Sequence, residues 1–158
     1  MRTLKLLSIS LLLAITVSAQ GPPARIHGTV NDIMIGIIYP SSNIVFAAQS
    51  EDPEAPSDDF SFDYYGGWVQ VESAAIAVAE SANLLSIPGR QCANGTPPPI
   101  DAEDWLGWVE DMRTSGIAAY DAAKSQSQEA LTEITDQLAA SCSSCHARYV
   151  DVEDRCVG

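Results

Sequence analysis

An all-α bundle of four helices is the fold this sequence predicts, and three observations predict it. Beyond residue 19 strand signals are scarce. Long alanine-rich stretches instead carry apolar residues every three or four positions, the spacing of a single helix face. Two proline-bearing segments and a break around Ser125 or Ser127 cut these stretches into four pieces, with connections short enough for antiparallel neighbours, which implies up-down-up-down order.

The first segment lies outside that bundle. Residues 1–19 place Arg2 and Lys5 before an apolar run, Leu6 to Val17, interrupted only by Ser8, Ser10 and Thr16, and they close on the small residues of a cleavage site, Val17-Ser18-Ala19. They read as a secretory signal peptide removed before Gln20, which leaves residues 20–158 as one domain. The competing reading is an uncleaved anchor, for which the run falls short of the ~20 residues a bilayer span needs. No later stretch reads as a span, so the expectation is a periplasmic or secreted protein with no membrane insertion after cleavage. Four cysteines in 158 residues are compatible with that oxidising setting. The 8 Lys+Arg against 21 Asp+Glu give a net charge of −13, and loss of Arg2 and Lys5 makes the mature chain more acidic still. Such a charge disfavours nucleic acid and anionic membranes as partners and favours proteins with basic docking surfaces, while also serving simply to solvate the surface.

The first helix is expected from about Thr29 to Gln49, with Thr29 and Asp32 in the positions of a capping box and Ile33, Ile37, Ile44 and Ala48 on one stripe. Pro40 should kink it and free the carbonyl of Gly36, or divide it in two. Glu51 to Asp59, acidic and proline-bearing, reads as a solvated loop. The second helix runs from about Phe62 to Ser86 on Tyr64, Trp68, Val71, Ala75, Val78, Ala82 and Leu85, until Pro88-Gly89 ends it. Arg90 to Ile100 holds three consecutive prolines and Asn94-Gly95, so no regular element is expected; Asn94-Gly95-Thr96 has the form of a glycosylation sequon but, followed by Pro97, reads as a turn. The third helix starts near Asp101, with Asp101, Glu103 and Asp104 where the helix dipole favours acids, and buries Trp105, Trp108, Met112, Ala119 and Ala123. The fourth starts around Ser125 or Ser127, with Leu131, Ile134, Leu138, Cys142, Cys145 and Tyr149 as its stripe.

Near the end of that fourth helix the chain reads Cys142-Ser143-Ser144-Cys145-His146, and CxxCH is the sequence through which haem is covalently attached in c-type cytochromes. Two thiols add to the two vinyl groups of one porphyrin, and the neighbouring imidazole is held under the iron. On a helix these residues fall at i, i+3 and i+4, so all three share one face. His146 is then the proximal iron ligand, and the expected cofactor is one covalently attached haem c per chain. A thioredoxin-type CxxC would follow a strand, and none is predicted upstream. A structural zinc site would have only Cys92, Cys156 and His27 left as further ligands.

With the motif in this place the chain resembles the class II c-type cytochromes, the cytochrome c prime family, over nearly all of its mature length. The resemblance rests on Cys142-Ser143-Ser144-Cys145-His146 near the end of the fourth helix, followed by Ala147-Arg148-Tyr149, and on the alanine-rich helix opening Phe62-Asp63. It implies a haem between the fourth and first helices, with a residue of the first helix facing the iron's sixth position. Members with a methionine there carry electrons; members with an apolar residue bind nitric oxide or carbon monoxide on five-coordinate iron. The matching residue here is Met34, and at ~1.5 Å per helical residue it and His146 stand at similar heights in the bundle. A thioether is a soft, neutral ligand that suits a one-electron carrier. A gap-filling core methionine is the other reading of Met34, and His27, seven residues earlier, is a rival sixth ligand.

The resemblance thus implies an electron-transfer protein without substrate chemistry of its own, and it admits an antiparallel homodimer. A redox subunit of a larger enzyme is a weaker reading, resting on the acidic surface and on Tyr64, Tyr65 and Trp68. One departure concerns the basic residue that many members carry four positions after the haem histidine, where this chain has Val150. In an up-down bundle the ends of the second and fourth helices share a pole, which brings Cys92 toward Cys156 and predicts a disulfide, free thiols being the alternative.

Overall fold

The computed structural model describes residues 23–55, 66–150 and 156, and among these it contains helices and no strand. The signal peptide expected at residues 1–19, the opening turns expected at Phe62, Tyr64 and Tyr65, and residues 151–155 lie outside the described residues.

The first rod is α1 (Val30–Ile33), a π turn (Met34–Ile38) and α2 (Tyr39–Ala47), which follow one another without a break. Its start is the expected capping box: Asp32 N–H donates to Thr29 Oγ1 at 3.2 Å, and Thr29 N–H donates to Asp32 Oδ2 at 2.8 Å. Those bonds to Thr29 hold the Asp32 carboxyl below its ordinary range. Pro40 neither ends the rod nor divides it. Its ring cannot sit against the carbonyl four residues back and it has no N–H to donate. The rod answers with one wide turn just before it, in which Tyr39 N–H reaches back five residues to the carbonyl of Met34.

That wide turn corrects the expected stripe. A residue inserted into the turn count rotates one half of the rod against the other, so the buried residues are Val30, Ile38, Ser42, Val45 and Ala48, while Ile33, Ile37 and Ile44 are only half-buried. A second correction concerns apolarity. Val30–Ala47 spans 18 residues at a mean hydropathy of 1.2, long and apolar enough by length and composition to cross a membrane, a character the sequence reading denied to every stretch after the leader. The polar run Ser41, Ser42 and Asn43 hides it from inspection.

Three helices complete the bundle: α3 (Trp68–Leu85), α4 (Glu103–Lys124) and α5 (Gln128–Tyr149). Helix α3 buries Trp68, Val71, Ala75, Val78, Ala82 and Leu85, the periodic set read from the sequence, and stops before Gly89, whose φ of +88° suits a residue without Cβ. It packs most extensively on α4, which in turn packs on α5. The α3–α4 approach depends on Gly116, since a Cβ there would lie 2.8 Å from the backbone nitrogen of Ala79. Between α4 and α5 the chain turns through Gln126 at φ +53°, and Ser127 caps α5 by accepting from Ala130 N–H at 3.2 Å.

Two sets of bonds fix the rod against the other helices. At its far end Gln128 donates to the carbonyls of Ala48 and Glu51 at 3.1 and 3.0 Å, and Thr135 donates to Gln49 Oε1 at 2.9 Å. At its beginning Val30 N–H donates to the Gln91 carbonyl at 2.8 Å, while the buried Arg90 spans the carbonyls of Leu84 and Gly28 at 2.8 and 2.5 Å. The irregular α3–α4 connection is therefore clamped to the start of the rod.

Candidate cofactor site

The last two turns of α5 carry Cys142, Cys145 and His146. Leu131, Thr135, Leu138 and Ser141 turn into the core and set the helix's rotation, which leaves the two cysteines half-buried and His146 exposed beside them. Both cysteines are free thiols packed against the core. Burial pushes the Cys142 thiol up; burial, with the charges of Cys142 and Asp104, pushes Cys145 up to about 11. At neutral pH both are therefore protonated, the reverse of the low-pKa cysteine that opens a redox CxxC.

Two cavities meet along Met34, Cys145 and His146, which line both. The larger, of ≈ 330 Å³, lies between the first rod, α4 and α5, with Ile38, Phe46, Leu85, Trp108, Met112 and Cys142 among its walls. Ile35 and Tyr39, 65 and 67 % exposed, form part of its lining. The smaller, of ≈ 160 Å³, adjoins the disulfide and is bounded by Val30, Asn31, Cys92, Trp105, Tyr149 and Cys156. Together they fall within the ~300–1,000 Å³ of small-molecule sites, and as in such sites the lining is largely apolar.

The wall on the α4 side is rigid. The Tyr149 ring stands edge-on to Trp105 and Trp108, with centroids at 5.2 and 5.8 Å. Its hydroxyl donates to Asp104 Oδ1 at 2.6 Å, and Arg148 Nε reaches Asp104 Oδ2 at 3.4 Å. The bond from Tyr149 holds the Asp104 carboxyl below its ordinary range, whereas burial, reinforced by Asp104, pushes the Tyr149 hydroxyl up. Trp105 is 2 % exposed, and its indole N–H has no hydrogen-bond partner among the described residues. An unmet buried donor costs about 1–3 kcal/mol.

The structure brings four of the seven sequence-derived cysteine, histidine and methionine candidates to the crevice and pairs the other two cysteines beside it. Met34 from the π turn faces the same space as Cys142, Cys145 and His146. Cys92, buried, is disulfide-bonded to Cys156 with Cα atoms 4.8 Å apart. His27 is exposed in the segment before α1 and lines neither cavity. Val150, four positions after His146, lines the smaller cavity, and its N–H donates to the His146 carbonyl at 2.9 Å.

Residues that the sequence reading assigned no part in a site are Asn31, Phe46, Asp104 and Trp108. Asp104 and Tyr149 are 45 positions apart, so no spacing rule joins them. Phe46 lines the larger cavity from α2, beyond the π turn. Among the described residues no group of three or more His, Cys, Asp or Glu side chains is placed to hold a bare metal ion. Comparison with protein-family models, curated proteins and solved structures finds no match for this chain.

Proposed function

We propose that this chain is an exported monohaem c-type cytochrome that carries single electrons, with one haem c held by Cys142 and Cys145 and its iron between His146 and Met34. The observation that carries the proposal is the shared crevice: Met34 on the first rod and Cys145 and His146 on α5 line both of its cavities. Half-buried, protonated thiols suit thioether bonds better than metal–thiolate bonds. A lone imidazole facing a thioether suits a metal that arrives with its own equatorial ligands, because no larger donor cluster exists among the described residues.

A haem bound there would supply a one-electron iron couple. The chain's own residues do the rest: His146 offers a neutral nitrogen and Met34 a soft sulfur, a pair that favours the reduced iron more than two histidines would. Ile38, Phe46, Trp108 and Met112 give the crevice apolar walls. The up-down-up-down order belongs to the same proposal. It is supported by the rod's far end bonding the start of α5 while Val30 and Met34, at its beginning, share a cavity with the last turn of α5. Export rests on the leader-like residues 1–19, and the acidic surface favours redox partners with basic docking faces.

A second reading keeps the haem but leaves its sixth position to nitric oxide or carbon monoxide. Met34 packs against the hydrophobic core, where a thioether is satisfied as an apolar filler. Expression alongside a c-type maturation system separates the two. The carrier retains haem on the denatured chain, loses it in the C142A/C145A variant, and has a low-spin spectrum indifferent to carbon monoxide after reduction. A high-spin spectrum that shifts with the gas selects the second reading, and a chain that matures without attached haem overturns both.

A further inference from the structure

A further opening lies between α4 and α5 alone: a groove of ≈ 340 Å³ lined by Trp108, Asp111, Thr114, Ser115, Gln137 and Ser144, with no residue of the first rod or of α3. Ser115, 4 % exposed, lies in its floor, and its hydroxyl has no hydrogen-bond partner among the described residues. The Asp111 carboxylate is exposed and has no ion-pair partner among them. No cation lines the groove. Arg113, the nearest on α4, pairs with Glu110 and donates to Asn83 Oδ1 of α3 at 3.2 Å. Helix α5 carries Glu129, Glu133 and Asp136 but no lysine or arginine before Arg148. Trp108 belongs both to this groove and to the larger cavity of the crevice.

A carboxylate and a hydroxyl both accept hydrogen bonds, and an indole face attracts positive charge, so the group these three suit together is an ammonium or a guanidinium. We infer that this groove is where a redox partner protein docks, with a lysine or arginine side chain of that partner seated against Asp111, Ser115 and Trp108; its role in electron transfer rests on the cytochrome reading. The charge of the whole chain agrees, since −13 draws a basic face toward it. A partner placed here is separated by one side chain, Trp108, from the crevice that Cys142, Cys145 and His146 line. Electron transfer weakens steeply with separation, so docking at this groove shortens the path that matters. One electron leaves ferrous iron, which becomes ferric, and reduces an oxidised metal centre of the partner by one; no bond forms or breaks and no proton moves. Exposed ion pairs are individually weak, which suits a partner that leaves after each electron.

The test uses the haem-loaded protein with its tryptophans labelled by ¹⁵N, and acetyl-tetralysine amide as the probe at low salt. The Trp108 indole resonance, identified by its loss in W108F, should shift on titration while those of Trp68 and Trp105 stay in place. D111N should weaken the peptide by about threefold, the size of an exposed ion pair, whereas E80Q, which removes an equal charge from α3, should not. The peptide should also slow oxidation of the reduced protein by the cation tris(phenanthroline)cobalt(III) and leave oxidation by ferricyanide, an anion, unslowed. Equal weakening by D111N and E80Q means that the peptide answers to net charge alone, and overturns the inference. A peptide that shifts Trp108 without slowing the cobalt complex overturns it too, because the electron then leaves elsewhere. In both of these outcomes the haem stays attached and the cytochrome reading stands. A chain whose intact mass shows no attached haem overturns that reading and, with it, the docking role assigned here.

Discussion

Asp104 occupies the first turn of α4, where its local sequence explains it as an acid favoured by the helix dipole, yet its contacts make it the brace of the crevice wall. It accepts from Tyr149 at 2.6 Å and pairs with Arg148 at 3.4 Å, and its carboxyl titrates below the ordinary 3.8. A carboxylate with a lowered folded pKa adds stability above its unfolded value and loses it as pH falls through the folded value. The stability difference between wild type and D104N should therefore be full above about pH 5 and shrink toward zero on further acidification, read from denaturant midpoints across pH; a difference independent of pH would refute the assignment. Met34 poses the complementary case, a side chain whose role depends on a partner from another helix. M34A should turn a low-spin, gas-indifferent holoprotein into one that binds carbon monoxide. Because Met34 is only half-buried, the accompanying loss of fold stability should stay near the low end of the ~2–5 kcal/mol of core Met→Ala changes.

At the scale of elements the π turn matters most. It begins at Met34, ends two residues before Pro40, and sets the rotation of α1 against that of α2. Replacing Pro40 by Ala restores a backbone donor and removes the ring clash, so the rod can close into a regular helix and swing Met34 by about a quarter-turn relative to α2. P40A should lower the low-spin fraction of the holoprotein while preserving its helix content by circular dichroism; an unchanged spectrum would mean that the wide turn is held by packing rather than by the proline. Gly116 is the comparable point between α3 and α4. A Cβ at 2.8 Å from the Ala79 nitrogen has only backbone to displace, so G116A should destabilise by roughly 1–3 kcal/mol, despite the better helix propensity of alanine. The proline was legible in the sequence and the wide turn was not, because several backbone responses relieve the same clash and only packing against α3 selects among them.

For the whole molecule, the Cys92–Cys156 bridge spans 64 positions and encloses α4 and α5, including the whole crevice wall that they provide. Opening it as C92A/C156A should cost about 2–4 kcal/mol, measured by equilibrium unfolding of the oxidised wild type against the variant, with the reduced wild type matching the variant. Six of the nine buried positions of α3 were legible, since Trp68, Val71, Ala75, Val78, Ala82 and Leu85 recur at helical spacing, while the small residues Ala74, Ala79 and Ser81 beside that stripe were not. The core positions of the first rod were not, since a periodic rule assumes a constant turn and one π turn breaks it. What the sequence alone determined is local and covalent: all-helical character, the cap at Thr29, the breakers that part the helices, and two thiols and an imidazole on one face of the last helix. The tertiary structure decided what those groups confront: Met34 across the crevice, and Asp104 bracing its wall. Spacing along a chain encodes which side chains share a helix face, whereas the meeting of two faces depends on the rotation and packing of separate helices, which no single segment carries.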